Sequence, residues 1–342
     1  MATIIQPTPQ AWDAFVSAQP GAHVLQLWSW GELKRAYGWD VERIAIERDG
    51  QMVAGAQLLF RPLPFGLGTM AYLPMGPYVS AGLEQELWRA LDDSVRRRNG
   101  AFIKWEPGIV ASHNLADLQK LGYRPSPQTV QPPRTILIDI SDPDDVILAR
   151  MNQGTRRKIR QSLKHGIRYY AGSADDVPTF TDMMRTTGAR NAFGVHEPAY
   201  YELAYRLFAP QGYARLFLAE HEGDPLAGIM VFAVGKTAWY LYGASSNVKR
   251  NLMATYGVQW QAIQWAKSKG CTHYDMWGIP DEDEATLEAQ FEQRSDGLWG
   301  VYGFKRGWGG KVVRSAGAWD KVYNPLVYAA YRLALRVRKP GE

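Results

Sequence analysis

VERIAIERDGQMVAGAQLLF, residues 41–60, returns later in the chain as YARLFLAEHEGDPLAGIMVF, residues 213–232. Glu47, Gly50, Ala54 and Gly55 line up at a constant offset with Glu220, Gly223, Ala227 and Gly228. Each copy places apolar residues on both sides of an acidic residue and a glycine, the pattern of two β-strands joined by a tight turn. Self-similarity of this kind predicts a duplicated structural unit, and the similarity continues in order. Each hairpin is followed by a further strand, GTMAYLPMGPYV (68–79) and KTAWYLYGAS (236–245). An amphipathic helix ending at glycine comes next, QELWRALDDSVRRRNG (85–100) and YGVQWQAIQWAKSKG (256–270). A last strand closes each copy, AFIKWEPGI (101–109) and THYDMWGIP (272–280).

Hairpin, strand, helix, strand is the core order of the GNAT acyltransferase fold, so two copies predict an α/β protein of tandem GNAT-like domains with mixed sheets. A length of 342 residues fits two domains. PSPQTVQPPR (125–134) reads as the connecting loop and TILIDI (135–140) as a strand opening the second half. The expected units are residues 1–145, joined by the C-terminal helix 317–342, and residues 146–316. Ordinary GNAT enzymes hold the pyrophosphate of coenzyme A on a glycine-rich turn at the helix start. Here MGPYVSAGLEQE and NVKRNLMATYG occupy those places and lack the glycine pattern, so the expected donor is not an acyl-CoA.

Hydrophobic residues make up 46% and charged residues 21%, which excludes a disordered chain. No apolar run approaches the ~18 residues that span a bilayer, and the first residues lack a signal-peptide pattern; a cytoplasmic location is expected. One cysteine excludes an intramolecular disulfide, and the six histidines show no metal spacing. The net charge is 39 − 34 = +5, and the cations are concentrated. From Val146 to Ala174 there is no acid, while Arg150, Arg156, Arg157, Lys158, Arg160, Lys164 and Arg168 all fall inside that window. Such a surface suits a polyanion, either an RNA backbone or a pyrophosphate; a solvated helix face is the plain alternative.

Seven stretches in order over nearly the whole chain resemble the Fem transferases: QLWSWGELKRAYGW (26–39), LPMGPY (73–78), FIKWEP (102–107), NQGTRRKIRQSLKHGI (152–167), MATYGVQWQAIQWA (253–266), YDMWGI (274–279) and LWGVYGFKRGWGG (298–310). The resemblance implies transfer of an amino acid from aminoacyl-tRNA onto the stem-peptide amine of a peptidoglycan precursor, UDP-linked or lipid-linked, with no metal or nucleotide cofactor. The short segment 281–296 leaves no room for a long coiled-coil arm and implies the armless branch. Carried over by position, the resemblance gives Lys34 a contact with the precursor's phosphates. It puts Tyr201 and Tyr256 in the substrate groove, and Lys305, after Phe304, at the catalytic site. Two positions depart: Glu197 stands where a relative has an arginine and Met75 where one has lysine, with Arg190 or Arg206 as substitutes.

Acyl transfer from an ester to an amine passes through an oxyanion, which Lys305 suits as a fixed cation while Phe304 and Trp308 exclude water. The alternative is that FKRGWGG is a strand-turn with solvated cations. Glu106, at the end of a strand, is the candidate base, with Asp275 at the matching place in the second copy; the tRNA ribose is the other proton carrier. Arg156, Arg157, Lys158, Arg160 and Lys164 are expected to meet tRNA. Beside Lys34, Trp30, Leu33 and Tyr37 form an apolar stripe expected in the core. The C-terminal helix, capped by Asn324 with Pro325 in its first turn, is expected to pack on the first domain or to graze an anionic membrane face. The active site is expected in the cleft where the repeats meet. Two rival functions remain: an N-acyltransferase with another donor and a small-molecule or protein acceptor, and a non-catalytic polyanion-binding pair of degenerate GNAT domains.

Overall fold

The structure, a computed structural model, describes residues 2–109, 119–191 and 194–337. The chain forms two compact units, one from Met1–Pro133 with Arg314–Glu342 and one from Arg134–Val313. The divisions fall at 133–134 and 313–314 rather than near 145 and 316, and the strand opening at Arg134 belongs with the later residues because it hydrogen-bonds to a strand of the second copy.

The first unit begins with β1 (Thr3–Ile5), α1 (Pro9–Ser17), α2 (Trp28–Arg35), β2 (Asp40–Arg48) and β3 (Gln51–Pro62). It continues with β4 (Thr69–Pro74), β5 (Tyr78–Val79), α3 (Glu84–Arg97), β6 (Gly100–Glu106) and β7 (Tyr123–Pro125). The second unit holds β8 (Arg134–Asp139), α4 (Asp144–Arg150), α5 (Gln153–Ser162), β9 (Arg168–Ala171), α6 (Val177–Asn191) and α7 (Pro198–Phe208). It goes on through β10 (Ala214–His221), β11 (Asp224–Val234), β12 (Thr237–Ser245), α8 (Ala254–Ser268) and β13 (His273–Asp275). After α9 (Glu284–Gln290), α10 (Trp299–Lys305) and β14 (Lys311–Arg314), the chain returns to the first unit with β15 (Trp319–Val322) and α11 (Pro325–Val337).

The duplication is visible in the sheets. The first has the order β1-β2-β3-β4-β6-β15-β7, with β5 added to β3, and the second β14-β8-β13-β12-β11-β10-β9. The hairpins β2–β3 and β10–β11 turn at Asp49–Gly50 and Glu222–Gly223, where φ is 51°, 75°, 54° and 84°. Two consecutive positive φ values are what a two-residue hairpin loop demands, and glycine supplies the second at no steric cost. The pairing shifts register between Ile46 and Glu47 in one hairpin and between Ala219 and Glu220 in the other, the same place in both copies. In each copy the strand after the hairpin runs parallel to the strand after the helix, β4 with β6 and β12 with β13. The expected strand 68–79 is two pieces: β4 stops at Pro74, and Tyr78–Val79 pairs back onto Gly55 and Ala54 of β3.

Packing follows burial of one face of each element. Leu87, Trp88, Leu91 and Val95 of α3 lie against Ile44, Ile46, Leu58, Phe60, Ile103 and Trp105 of the sheet. Of the expected stripe beside Lys34, Trp30 and Leu33 are buried, but Tyr37 is 38% exposed because α2 ends before it. Between 281 and 296 the chain makes one short helix, α9, capped by Asp283, and no long arm.

β15 enters the first sheet between β6 and β7 and brings Asp320 beside Lys104. Both side chains are buried. The Lys104 amine donates to Asp320 Oδ1 at 3.0 Å, to the Gln128 carbonyl at 2.9 Å and to the Ser126 hydroxyl, while the Tyr328 hydroxyl of α11 donates to Asp320 Oδ2 at 2.8 Å. One ion pair thus ties the central strand to the proline-rich loop and the C-terminal helix. Removing only the acid leaves an ammonium uncompensated in the interior, which typically costs about 3–5 kcal/mol. Asp320→Ala is therefore expected to lower the stability of the first unit by about that amount in denaturant titrations. Adding Lys104→Met to it should restore much of the loss.

Candidate active site

The segment YGFKRGWGGK is helical up to Lys305. α10 passes into a 3-10 turn at Arg306–Trp308, and Gly309, at φ 76°, ends it. The strand-turn with solvated cations is therefore not what forms. The glycines are there for contact: a Cβ on Gly307 would lie 2.3 Å from the Thr155 hydroxyl, and one on Gly309 2.6 Å from the Arg150 carbonyl. The backbone of 307–309 thus presses against the junction of α4 and α5, and the Asn152 N–H donates to the Gly307 carbonyl at 3.1 Å.

This seating drives Lys305 inward, to 6% exposure. Its amine donates to the carbonyls of Trp277 (2.7 Å) and Gly278 (2.8 Å) and sits 5.6 Å from the centre of the Tyr240 ring. Burial pulls its pKa down to about 7 against the opposing pull of Asp275. Asp275, at the end of β13, is itself buried, and that burial pushes its carboxyl up to about 6 despite hydrogen bonds donated by the Thr135 hydroxyl and the Trp277 N–H. An ammonium has three N–H groups, and the two carbonyls take two of them. Such an amine is fixed in direction, weakly solvated and able to give its remaining hydrogen to a developing oxyanion.

Beside Lys305 stands an aromatic stack. Tyr256 and Trp308 lie nearly parallel with centroids 5.9 Å apart, and Phe304 meets each edge-on at 5.1 and 5.7 Å. The Lys158 amine donates to the Tyr256 hydroxyl at 3.1 Å and lies 4.9 Å from the ring centre. Lys158, Tyr256, Phe304 and Lys305 are thus gathered by α5, α8 and α10.

The other residues expected in this unit gather elsewhere. In β12, Tyr240 pairs with Val231 and Tyr242 with Met230, so Leu241 is an extra residue and the two tyrosines face opposite sides of the sheet. Tyr240 packs in the core that contains Trp308 and the α8 residues. Tyr242 meets Tyr201 at 5.3 Å and Tyr200 at 6.2 Å. Tyr201, buried, accepts a hydrogen bond from the His196 N–H at 3.2 Å. On this second side Arg190 donates to the Ser245 hydroxyl (2.7 Å), the Ser245 carbonyl (3.3 Å) and Asn247 (2.8 Å). Burial and the nearby Arg250 lower the pKa of Arg190. Arg206 is exposed on α7, and Glu197 is exposed as the residue before that helix. The sequence does not single out Tyr240 and Tyr242, because an alternating strand gives no sign that one residue in it is extra.

The basic stretch divides into two kinds of cation. Arg150 pairs with Asp142, Arg168 with Glu220, and Arg156 donates to the carbonyls of Ala149 and Met151. Arg157, Arg160 and Lys164 are exposed, with no acid partner among the described residues.

In the first unit, Glu106 is buried at the end of β6 and accepts hydrogen bonds from the Tyr72 hydroxyl and from the N–H groups of Val130 and Gln131. Burial raises its pKa against those three donors. Lys34 lies 4.6 Å from the centre of the Trp30 ring, and burial, with Arg61 repelling it, lowers its pKa to about 8. Met75 takes a positive φ of 51°, and its N–H donates to the Glu106 carbonyl at 2.7 Å.

Known proteins carry the same architecture. Over 94% of this chain and 93% of its own length, a lipid II:glycine glycyltransferase of Staphylococcus saprophyticus is 27% identical. The crystal structure of FemX superposes with a TM-score of 0.85 at 26% identity, covering 96% of this chain and 99% of that one. A tandem GNAT protein from the clavulanic acid biosynthesis pathway, at 10% identity and a TM-score of 0.53, shares the fold. The FemAB family profile matches residues 8–127, 117–222 and 214–336, and the chain belongs to the FemAB family.

Proposed function

We propose that this chain is an aminoacyltransferase that moves an amino acid from aminoacyl-tRNA onto the stem-peptide amine of a lipid-linked peptidoglycan precursor. The observation that carries the reading is Lys305, a buried amine fixed on two carbonyls, in a family whose similar members are named lipid II:glycine glycyltransferases. The acceptor amine attacks the ester carbonyl of the charged tRNA. A C–N bond forms, Lys305 stabilises the oxyanion, and the bond to the ribose oxygen breaks. The amine's proton goes to the ribose oxygen that leaves. Glu106 already accepts three hydrogen bonds, which suits a carboxylate that orients Tyr72 and the 130–131 backbone. Tyr256 and Phe304, half-buried over the buried Trp308, offer the acceptor end of the tRNA an aromatic face, and Arg157, Arg160 and Lys164 offer its backbone positive charge. Lys34 is assigned to a phosphate of the precursor, with Arg190, Tyr201 and Arg206 as further substrate contacts.

The test is transfer of radiolabelled amino acid from a pool of charged tRNAs, glycyl-tRNA among them, to lipid-linked precursor, with and without ribonuclease. Label should appear in the precursor, vanish with ribonuclease and fall at least ~100-fold with Lys305→Ala, the loss typical of removing one oxyanion donor. No transfer to either a lipid-linked or a UDP-linked acceptor would overturn the reading. RNA binding that survives Lys305→Ala without any turnover would favour a polyanion-binding protein instead.

The lowered pKa of Lys305 gives two further expectations. Only the protonated amine stabilises an oxyanion strongly, so the ratio of wild-type to Lys305→Ala kcat/KM should fall as pH rises through about 7. A ratio that rises through the same range would make Lys305 a proton acceptor. For folding, the unfolded chain holds this proton up to about 10.5 and the folded chain only to about 7, so the unfolded state binds more protons between those values. Wild-type stability should therefore gain from this residue as pH rises from about 7 towards 10, and Lys305→Met should lack that gain in denaturant melts.

A further inference from the structure

The tip of the β3–β4 hairpin and the outer side of α11 leave large apolar side chains in solvent on one part of the first unit. Phe65 is 97% exposed, at a positive φ of 59°, with Leu67 exposed beside it. On α11, Leu326 is 84% and Leu333 63% exposed. They stand seven residues apart, two helical turns on one face, with exposed Ala329 and Ala330 between. The inner face of the same helix is well satisfied. Tyr328 and Tyr331 pack on Phe102 with ring centroids at 5.2 and 4.6 Å. Leu63 and Met70, which flank the hairpin tip, pack on that same cluster, so the tip and the helix are neighbours on a shared base.

The two segments that form this face carry cations and no acid of their own. Arg332 and Arg336 are exposed on α11, and the Arg124 guanidinium lies 4.4 Å from the centre of the Tyr328 ring. The sequence contains no acid from Gln51 to Leu83, which includes the whole hairpin tip, and none from Lys321 to Gly341, which includes all of α11. No described helix is long and apolar enough to cross a membrane.

We propose that this face seats the first unit on an anionic phospholipid surface. Phe65, Leu67, Leu326 and Leu333 enter the boundary between headgroups and acyl chains, while Arg124, Arg332 and Arg336 meet the phosphates. Positive charge combined with exposed apolar side chains matches such a surface better than a second copy of the same face, which would set arginine against arginine. The inference rests on the reading above only in giving a lipid surface a purpose, an acceptor held there; its argument comes from the first unit alone.

The test is co-sedimentation of the full chain with phosphatidylcholine vesicles that do or do not contain phosphatidylglycerol, so it needs no turnover and can fail separately from the transfer assay. Binding should require phosphatidylglycerol and weaken with salt. Phe65→Ser with Leu326→Ser should lower the partition coefficient at least ~10-fold, since burial of each side chain is worth a factor of that order. Arg332→Gln with Arg336→Gln should lower it and flatten its salt dependence. All the variants should keep the wild-type melting temperature. The proposal is overturned if wild type ignores the anionic vesicles, if it binds both vesicle types equally, or if the serine variants bind as wild type does. It is also overturned if those variants convert a dimer to a monomer while vesicle binding stays unchanged, for a second copy would then be the occupant.

Discussion

Two strands that run side by side in the same direction cannot be joined by a tight turn. Both copies of the repeat contain such a pair, β4 with β6 and β12 with β13, and each has to spend a helix, α3 or α8, to carry the chain back across the sheet. Much else follows from that requirement. The helix must bury an apolar face on the sheet, which builds the two cores. The strand after the helix ends in the interior beside its parallel partner, and there each copy keeps a carboxylate, Glu106 or Asp275, that collects O–H donors from neighbouring strands and N–H donors from loops. In the second copy the loop after that strand also supplies the two carbonyls that hold Lys305.

How much of this the sequence disclosed depends on the range of the interaction behind it. The hairpins were legible because an acidic residue and a glycine between apolar runs admit few conformations, and the crossover helices because an amphipathic period ending at glycine is a local pattern. The C-terminal helix was legible from Asn324 and Pro325 at its start, and Val327 indeed receives the cap from the Asn324 side chain. The glycines of FKRGWGG were misleading. Their number suggested a turn, whereas Gly307 and Gly309 are small because α4 and α5 come close from more than a hundred residues earlier in the chain. The burial of Lys305 follows from that distant contact, so no local pattern carries it.

The same distinction explains why the candidate site residues of the second unit fall into two groups. Tyr201, Tyr242 and Arg190 occupy one side of the second sheet, and Tyr240, Tyr256, Phe304 and Lys305 collect around the core of the other. A single extra residue, Leu241, sends neighbouring tyrosines of β12 to opposite sides, and a bulge of one residue leaves no compositional trace. Charge was legible in total but not in use. Arg150, Arg156 and Arg168 serve the unit's own carbonyls and acids, while Arg157, Arg160 and Lys164 remain directed at solvent.

The insertion of β15 between β6 and β7 bears on the order in which the chain can be completed during synthesis. When the first 133 residues have left the ribosome, β7 still lacks β15, the one strand it pairs with among the described residues, and the Lys104 amine lacks its carboxylate. The second unit is continuous in sequence and can close as soon as Val313 emerges. The first unit has to wait, open along one edge, until residues 319–322 arrive. The half of the protein made first is thus the half finished last, and during translation its exposed β6 edge is where a chaperone or a wrong strand would find purchase.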